Sequence, residues 1–139
     1  MADIKLVNDQ LLDELTEKAK ASPRLRMNYN LHDNYNDPVQ SVVNAIEPGS
    51  VLPIHRHLNK TELYTILRGR FEVQYCDENG RIIKTEILDR REGNYITQVP
   101  ANTWHSVESL ESGTVIIEVK DGPYKPFGPE DILDKPKHR

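Results

Sequence analysis

Apolar residues recur along this chain with two different periods. Between Asp9 and Lys20, residues Leu11, Leu12, Leu15 and Ala19 fall on one stripe at helical spacing, which predicts an amphipathic helix. Asn8 suits the N-cap, and Val7 before it can pack onto Leu12. Glu14 and Lys18 are spaced as an i,i+4 pair in the favourable order. Ser22-Pro23 ends the helix, because proline disfavours helical backbone in the residue before it. From Arg24 to His32 the period becomes two. Leu25, Met27, Tyr29 and Leu31 alternate with Arg24, Arg26, Asn28, Asn30 and His32, the pattern of a strand with one apolar and one polar face. Asp33–Pro38 is a turn-rich connector. Strand-like runs then follow at Val39–Glu47, Val51–His57, Glu62–Leu67, Arg70–Cys76, Arg81–Leu88, Tyr95–Val99, Thr103–Glu108 and Thr114–Val119. Turn residues separate them, and Asn79-Gly80 is a strong hairpin signal. Many short strands with turns every 8–12 residues or so predict a sandwich or barrel, with a double-sheet jelly roll as the natural closure.

The length of 139 residues fits one domain, so a two-domain enzyme is not expected. No apolar run is long enough to span a bilayer, and Met1–Leu6 lacks the apolar core of a secretory signal. The net charge of −4, with both signs interspersed, offers no field for nucleic acid. Lys135–Arg139 reads as a solvated basic tail, and the proline-rich stretch after Asp121 as a segment that wraps the surface or frays. One cysteine, Cys76, excludes an internal disulfide framework and a cysteine zinc cluster. Cytoplasmic localisation is the expectation. The chain therefore divides into an N-terminal helical segment (1–22), a barrel (23–124) and a C-terminal tail (125–139).

The candidate chemistry lies in His55-Arg-His57 and Glu62. Two histidines at i,i+2 on a strand project from one face, and a short turn returns Glu62 beside them. Two imidazoles and a carboxylate suit a borderline divalent ion such as Zn, Fe, Mn, Ni or Cu. His105 is a third histidine in a later run. A His-x-His pair on a strand is also common surface decoration. What changes the balance is the spacing: Gly49, five residues, His55-x-His57, four residues, Glu62, six residues, Gly69.

That string resembles cupin motif 1. Gly93 to His105 resembles cupin motif 2, with six residues between Gly93 and Pro100 instead of five and Asn102 where glycine is usual. Asparagine tolerates the left-handed conformation that glycine takes there. The resemblance implies an all-β cupin double-stranded β-helix, a jelly-roll barrel with a short N-terminal α-helix. It also implies one divalent metal held by His55, His57, Glu62 and His105.

A narrower resemblance covers about Leu11 to Tyr124. Ala21–His32, Pro100–His105 and Glu118–Tyr124 are similar to blocks of the WbuC family of cupin-fold metalloproteins, associated with bacterial surface-polysaccharide (O-antigen) gene clusters. The resemblance implies action on a sugar or sugar-derived molecule, by a metal-dependent isomerase or oxygenase. A non-catalytic metal- or sugar-binding or regulatory cupin is the alternative, and a metal-independent sugar epimerase the second. Cupins often form homodimers.

A divalent ion with one carboxylate ligand keeps net positive charge, so an anionic or sugar-like small molecule is the expected ligand. The polar row Arg24, Arg26, Asn28, Asn30 and His32 is either a solvated outer face or the rim of the metal pocket. In the second reading the two arginines hold an anion and the asparagines hold hydroxyls. Tyr64 shares a face with Glu62 and is either a core tyrosine or a catalytic acid. Trp104 should point away from the His105 face and pack.

Overall fold

The computed structural model describes residues 3–139. Helix α1 (Asp9–Ala21) precedes eight strands: β1 (Arg26–Asn30), β2 (Val39–Ile46), β3 (Glu62–Arg68), β4 (Phe71–Cys76), β5 (Ile82–Leu88), β6 (Ile96–Val99), β7 (His105–Ser109) and β8 (Val115–Asp121). Asn8 caps α1, its side chain accepting a hydrogen bond from the Leu11 amide. Glu14 accepts from Gln10, and Lys20 pairs with Glu17, so the expected Glu14–Lys18 pair gives way to neighbouring partners.

One sheet has the order β1-β2-β8-β3-β6 and the other β5-β4-β7, with antiparallel neighbours throughout. The result is the all-β jelly roll with a short N-terminal helix that the periodicity predicts. Ile46, Tyr64, Ile66 and Ile116 of the large sheet pack against Phe71, Val73, Leu88 and Val107 between the sheets. On the large sheet's other face, Leu12, Leu15 and Ala19 of α1 meet Val43, Ala45 and Val115, with Met27, Tyr29 and Leu31 alongside. Gly69 turns the chain from β3 into β4 at φ +82°, and a Cβ there would lie 2.7 Å from Thr114 Cα.

Three expectations meet a different arrangement. The run Arg24–His32 yields a strand only from Arg26 to Asn30. Leu25 takes φ 57° and its amide bonds back to the Ser22 carbonyl, so the chain is still turning there. Val51–His57 forms no strand. Pro53 has no amide to donate, and within this run only His55 makes ladder bridges, to His105 and Ile132. The tail is docked. The Arg56 amide donates to the Asp131 carbonyl, Leu133 to Ile54, and His138 to Gly80. Lys137 Nζ donates to Ser106 Oγ and the Val107 carbonyl, and Arg139 pairs with Glu72 at 2.8 Å. The physical reason is that His55 exchanges its backbone bonds with His105, whereas the Ile54 carbonyl and the Arg56 amide beside it are satisfied by the tail.

Candidate metal centre

Backbone pairing brings the histidines together. His55 and His105 exchange two hydrogen bonds of 2.9 Å, so their side chains rise from one face. His57 follows two residues on, and its carbonyl accepts from the Asn102 amide. Asn59 (φ 61°) and Asn102 (φ 64°) both occupy the left-handed region. Asn102 Oδ1 accepts from the Asn59 amide at 3.0 Å. Asparagine at 102 thus makes the turn that glycine would make and also ties the two loops together. Glu62 opens β3, flanked in register by Val99 of β6 and Lys120 of β8.

One ligand atom from each of His55, His57, Glu62 and His105 lies within 4.8 Å of all the others. His57 Nε2 is 2.8 Å from Glu62 Oε2, and His105 Nε2 is 3.4 Å from Oε1. His55 Nδ1 lies 3.1 Å from the Pro53 carbonyl and His105 Nδ1 2.8 Å from the Thr103 carbonyl. A carbonyl can only accept, so both rings carry a proton on Nδ1 and keep Nε2 as a lone pair. The buried His57 Nε2, close to Glu62 but outside hydrogen-bonding alignment, has no hydrogen-bond partner. Lone pairs turned toward a buried carboxylate repel unless a cation lies between them. The donor set therefore fits a divalent metal, with imidazole and carboxylate ligands of the borderline class.

Burial opposes the charge on Glu62, 1% exposed, but the His105 and His57 rings facing its two oxygens outweigh burial and hold the carboxyl well below its usual range. Burial, reinforced by the neighbouring His105, pushes His55 down to about 3, so it is neutral at neutral pH, the form that binds metal. Tyr64 lies beside Glu62 on the inner face. Burial first, then the Glu62 and Glu118 carboxylates, push its hydroxyl well up, so it is held as a neutral phenol able to donate a hydrogen bond. Burial and Glu62 push Glu118 up to about 7.

The polar row of β1 divides. Glu62 and Gln40 both pair with Lys120, placing the centre at the Gln40 end of the large sheet. Arg26 pairs with Ile46 at the other end, and its Nη1 donates to Ser50 Oγ and the Val51 carbonyl, each at 3.2 Å. Arg24 precedes the strand and is exposed. Neither arginine is brought to the histidines. Asn28, Asn30 and His32 do line a hollow of about 600 Å³, together with Asn44, Glu118 and Lys120. Sequence reasoning passed over a second, small cavity of about 30 Å³ beside His57, whose wall includes Arg56, Lys60, Lys120 and Lys125. Lys60 beside Glu62 and Lys120 beside Glu118 are the only local signals for it. Trp104 packs under the Arg56 guanidinium, 4.3 Å from its ring centroid. Phe127 places its ring 5.2 Å from both His55 and His57.

The family model described as "Domain of unknown function (DUF6016)" matches residues 7–88, more than half of the chain. The chain belongs to the DUF6016 family. That match includes His55, His57 and Glu62 and stops short of His105. Uncharacterized protein MJ1618 of Methanocaldococcus jannaschii is 30% identical over 103 residues, covering 73% of this chain and 74% of that protein. Among solved structures, KdgF from Halomonas sp. is 18% identical with a TM-score of 0.57, covering 75% of this chain and 84% of that one. A cupin 2 domain-containing protein from Halorhodospira halophila is 17% identical with a TM-score of 0.54, covering 73% of this chain and 70% of the other. At such identities the likeness establishes the fold: this DUF6016 member has a cupin barrel. No helix among the described residues is long and apolar enough to cross a membrane.

Proposed function

We propose that this DUF6016 member is a cupin metalloprotein of the WbuC type. In this reading it binds one divalent ion through His55, His57, Glu62 and His105. Its ligand is an anionic or sugar-derived small molecule of surface-polysaccharide metabolism. The observation that supports this is the convergence of four donors within 4.8 Å around a buried, hydrogen-bond-orphaned His57 Nε2. When bound, the ion would supply Lewis acidity, or a site for oxygen activation, at coordination positions the protein leaves open. The chain's own residues have distinct tasks. The Pro53 and Thr103 carbonyls orient His55 and His105. Tyr64, protonated and buried beside Glu62, can donate a hydrogen bond to a ligand oxygen. Asn28, Asn30 and His32 hold hydroxyl groups in the larger hollow. An isomerase or an oxygenase is compatible with these tasks.

A second reading, a non-catalytic binding or regulatory cupin, draws support from Phe127, whose ring packs on two of the histidines and narrows the approach to them. Elemental analysis of the purified protein and of His55→Ala and His57→Ala tests the metal. About one ion per chain is expected in the wild type and a sharp loss in both variants, and full retention in both would overturn the assignment. Turnover of sugar nucleotides by metal-loaded but not by stripped protein would favour the enzyme, and unaltered sugar nucleotides in both would favour the binding module.

A further inference from the structure

Residues that the metal reading leaves unused converge next to it. The small cavity beside His57 is walled by Arg56, Lys60, Lys120 and Lys125, with Asp131 as the single carboxylate in its lining. Among the described residues none of these four cations has a carboxylate oxygen within 4 Å, whereas Arg68, Arg70 and Arg91 each pair with two. Arg56 Nε is buried and has no hydrogen-bond partner. Lys60 Nζ donates to the Pro123 carbonyl, which uses one of its three protons. Lys125 is exposed and Arg56, Lys60 and Lys120 are half-buried, the Arg56 guanidinium stacks on Trp104, and Asp131 Oδ1 is buried without a partner. Solvent therefore screens part of the repulsion among the four cations, and an anion bound among them would relieve the rest.

Lys120 joins this cluster to the larger hollow, since it lines both cavities. It is also the register partner of Glu62, on the adjacent strand and the same sheet face. The hollow of about 600 Å³ is within the range of small-molecule sites. Asn28, Asn30, Gln40 and Asn44 supply neutral donors and acceptors to it, suited to hydroxyl groups. Tyr35 and Tyr124, with ring centroids 4.7 Å apart, form an aromatic part of its wall. Glu118 adds a carboxyl there beside Lys120.

We infer that Arg56, Lys60, Lys120 and Lys125 form an anion subsite that anchors a polyhydroxylated acid beside the metal centre. The carboxylate or phosphate sits among these cations while its hydroxyl-bearing chain or ring lies along Asn28, Asn30 and Asn44. This rests on the metal reading for the position of the reacting group, but the anion subsite itself is built from residues that are not ligands. It moves the anion-holding role from Arg24 and Arg26 to cations on three other segments.

The test is calorimetric titration of the purified protein with gluconate, glucose 6-phosphate and neutral glucose, at low and high NaCl, with metal content measured on every sample. Binding of at least one anionic probe, absent for glucose and weakening with salt, is expected. Preference for gluconate or for glucose 6-phosphate identifies the anion as carboxylate or phosphate. Lys60→Met and Lys125→Met should each weaken that probe by about tenfold while metal content and thermal unfolding stay unchanged. Arg24→Ala/Arg26→Ala should leave its affinity unchanged. No binding of either anion, or equal binding to wild type and both lysine variants, would overturn the subsite while leaving a metal-loaded centre intact. Loss of metal from the wild type alone would instead strike the metal reading.

Discussion

The two faces of the five-stranded sheet are made by the same strands and do opposite work. Outward, Met27, Val43, Ala45, Val115 and Ile117 meet α1 in an apolar contact, with Arg68 paired to Asp9 and Asp13 at its edge. Inward, the alternate positions carry Asn28, Asn30, Asn44, Glu118 and Lys120, and then Glu62 and Tyr64 at the metal end. The outer face is stabilised by removing apolar area from water. Asn28 and Asn30 are exposed at the edge, but Asn44 and Glu62 are buried, which costs free energy unless each group finds a partner. Ile46, Ile66 and Ile116 restore an apolar contact toward the Arg26 end, and Val99, the register partner of Glu62, continues it. Strand alternation thus lets one sheet hold the fold with one face and carry chemistry on the other.

The pH response should separate the faces most sharply. In metal-stripped protein, burial depresses His55 from 6.5 to about 3, so the unfolded chain takes up its proton first as acid is added. The stability linked to this group is complete above about pH 6.5 and lost as pH falls toward about 3, on the order of a few kcal/mol. Depressed Glu62 acts in the same direction from its ordinary carboxylate range downward. Glu118, raised to about 7, acts oppositely: its contribution is complete below about pH 4.5 and lost as pH rises through about 7. Urea unfolding midpoints between pH 3 and 8 should show the acid loss, and metal loading should reduce it between pH 5 and 7. A flat profile in stripped protein would mean that the inner face is not desolvated as described.

Leu15→Ala on the outer face should cost about 3 kcal/mol by urea unfolding, with metal content unchanged, because Leu15 is 4% exposed against Val43 and Ala45. Loss of metal in this variant would show that the two faces are energetically coupled. Removing residues 131–139 should cost about 2 kcal/mol, since it strips the backbone partners of Ile54, Arg56 and Gly80. It should also weaken metal retention, because His55 loses its bridge to Ile132. Unchanged thermal unfolding of the shortened chain would return the tail to the status of a solvated extension. Asn8→Ala should cost about 1 kcal/mol, read by the same unfolding assay, through loss of the cap on the Leu11 amide.

Local periodicity carried far in this chain. The stripe of Leu12, Leu15 and Ala19 located α1 almost to the residue, and alternation located every strand of the two sheets. The resemblance to the two cupin motifs implied the same four residues that the fold brings within 4.8 Å. The failures share a cause. At Val51–His57 the alternation is present but Pro53 breaks the ladder, and the segment finds its partners in a tail some 75 residues later. At Arg24 and Arg26 the spacing is that of a strand, yet the register with Ile46 sends them to the far end of the sheet. The cation cluster had no contiguous signature, because Arg56 and Lys60 lie far along the chain from Lys120 and Lys125.

Side-chain alternation, helix capping, the turn glycines and the spacing from Gly49 to Gly69 are properties of neighbouring residues, and short-range sterics and solvation suffice to settle them. They specified an all-β chain with one capped helix and placed His55, His57 and Glu62 near one another. Which end of the sheet carries the His/Glu cluster, which cations gather beside His57, and whether the tail is bound are settled by pairings between residues far apart in the chain. Those depend on strand register, where a shift of one residue turns every side chain to the other face, and on backbone groups left unpaired until the last segment docks.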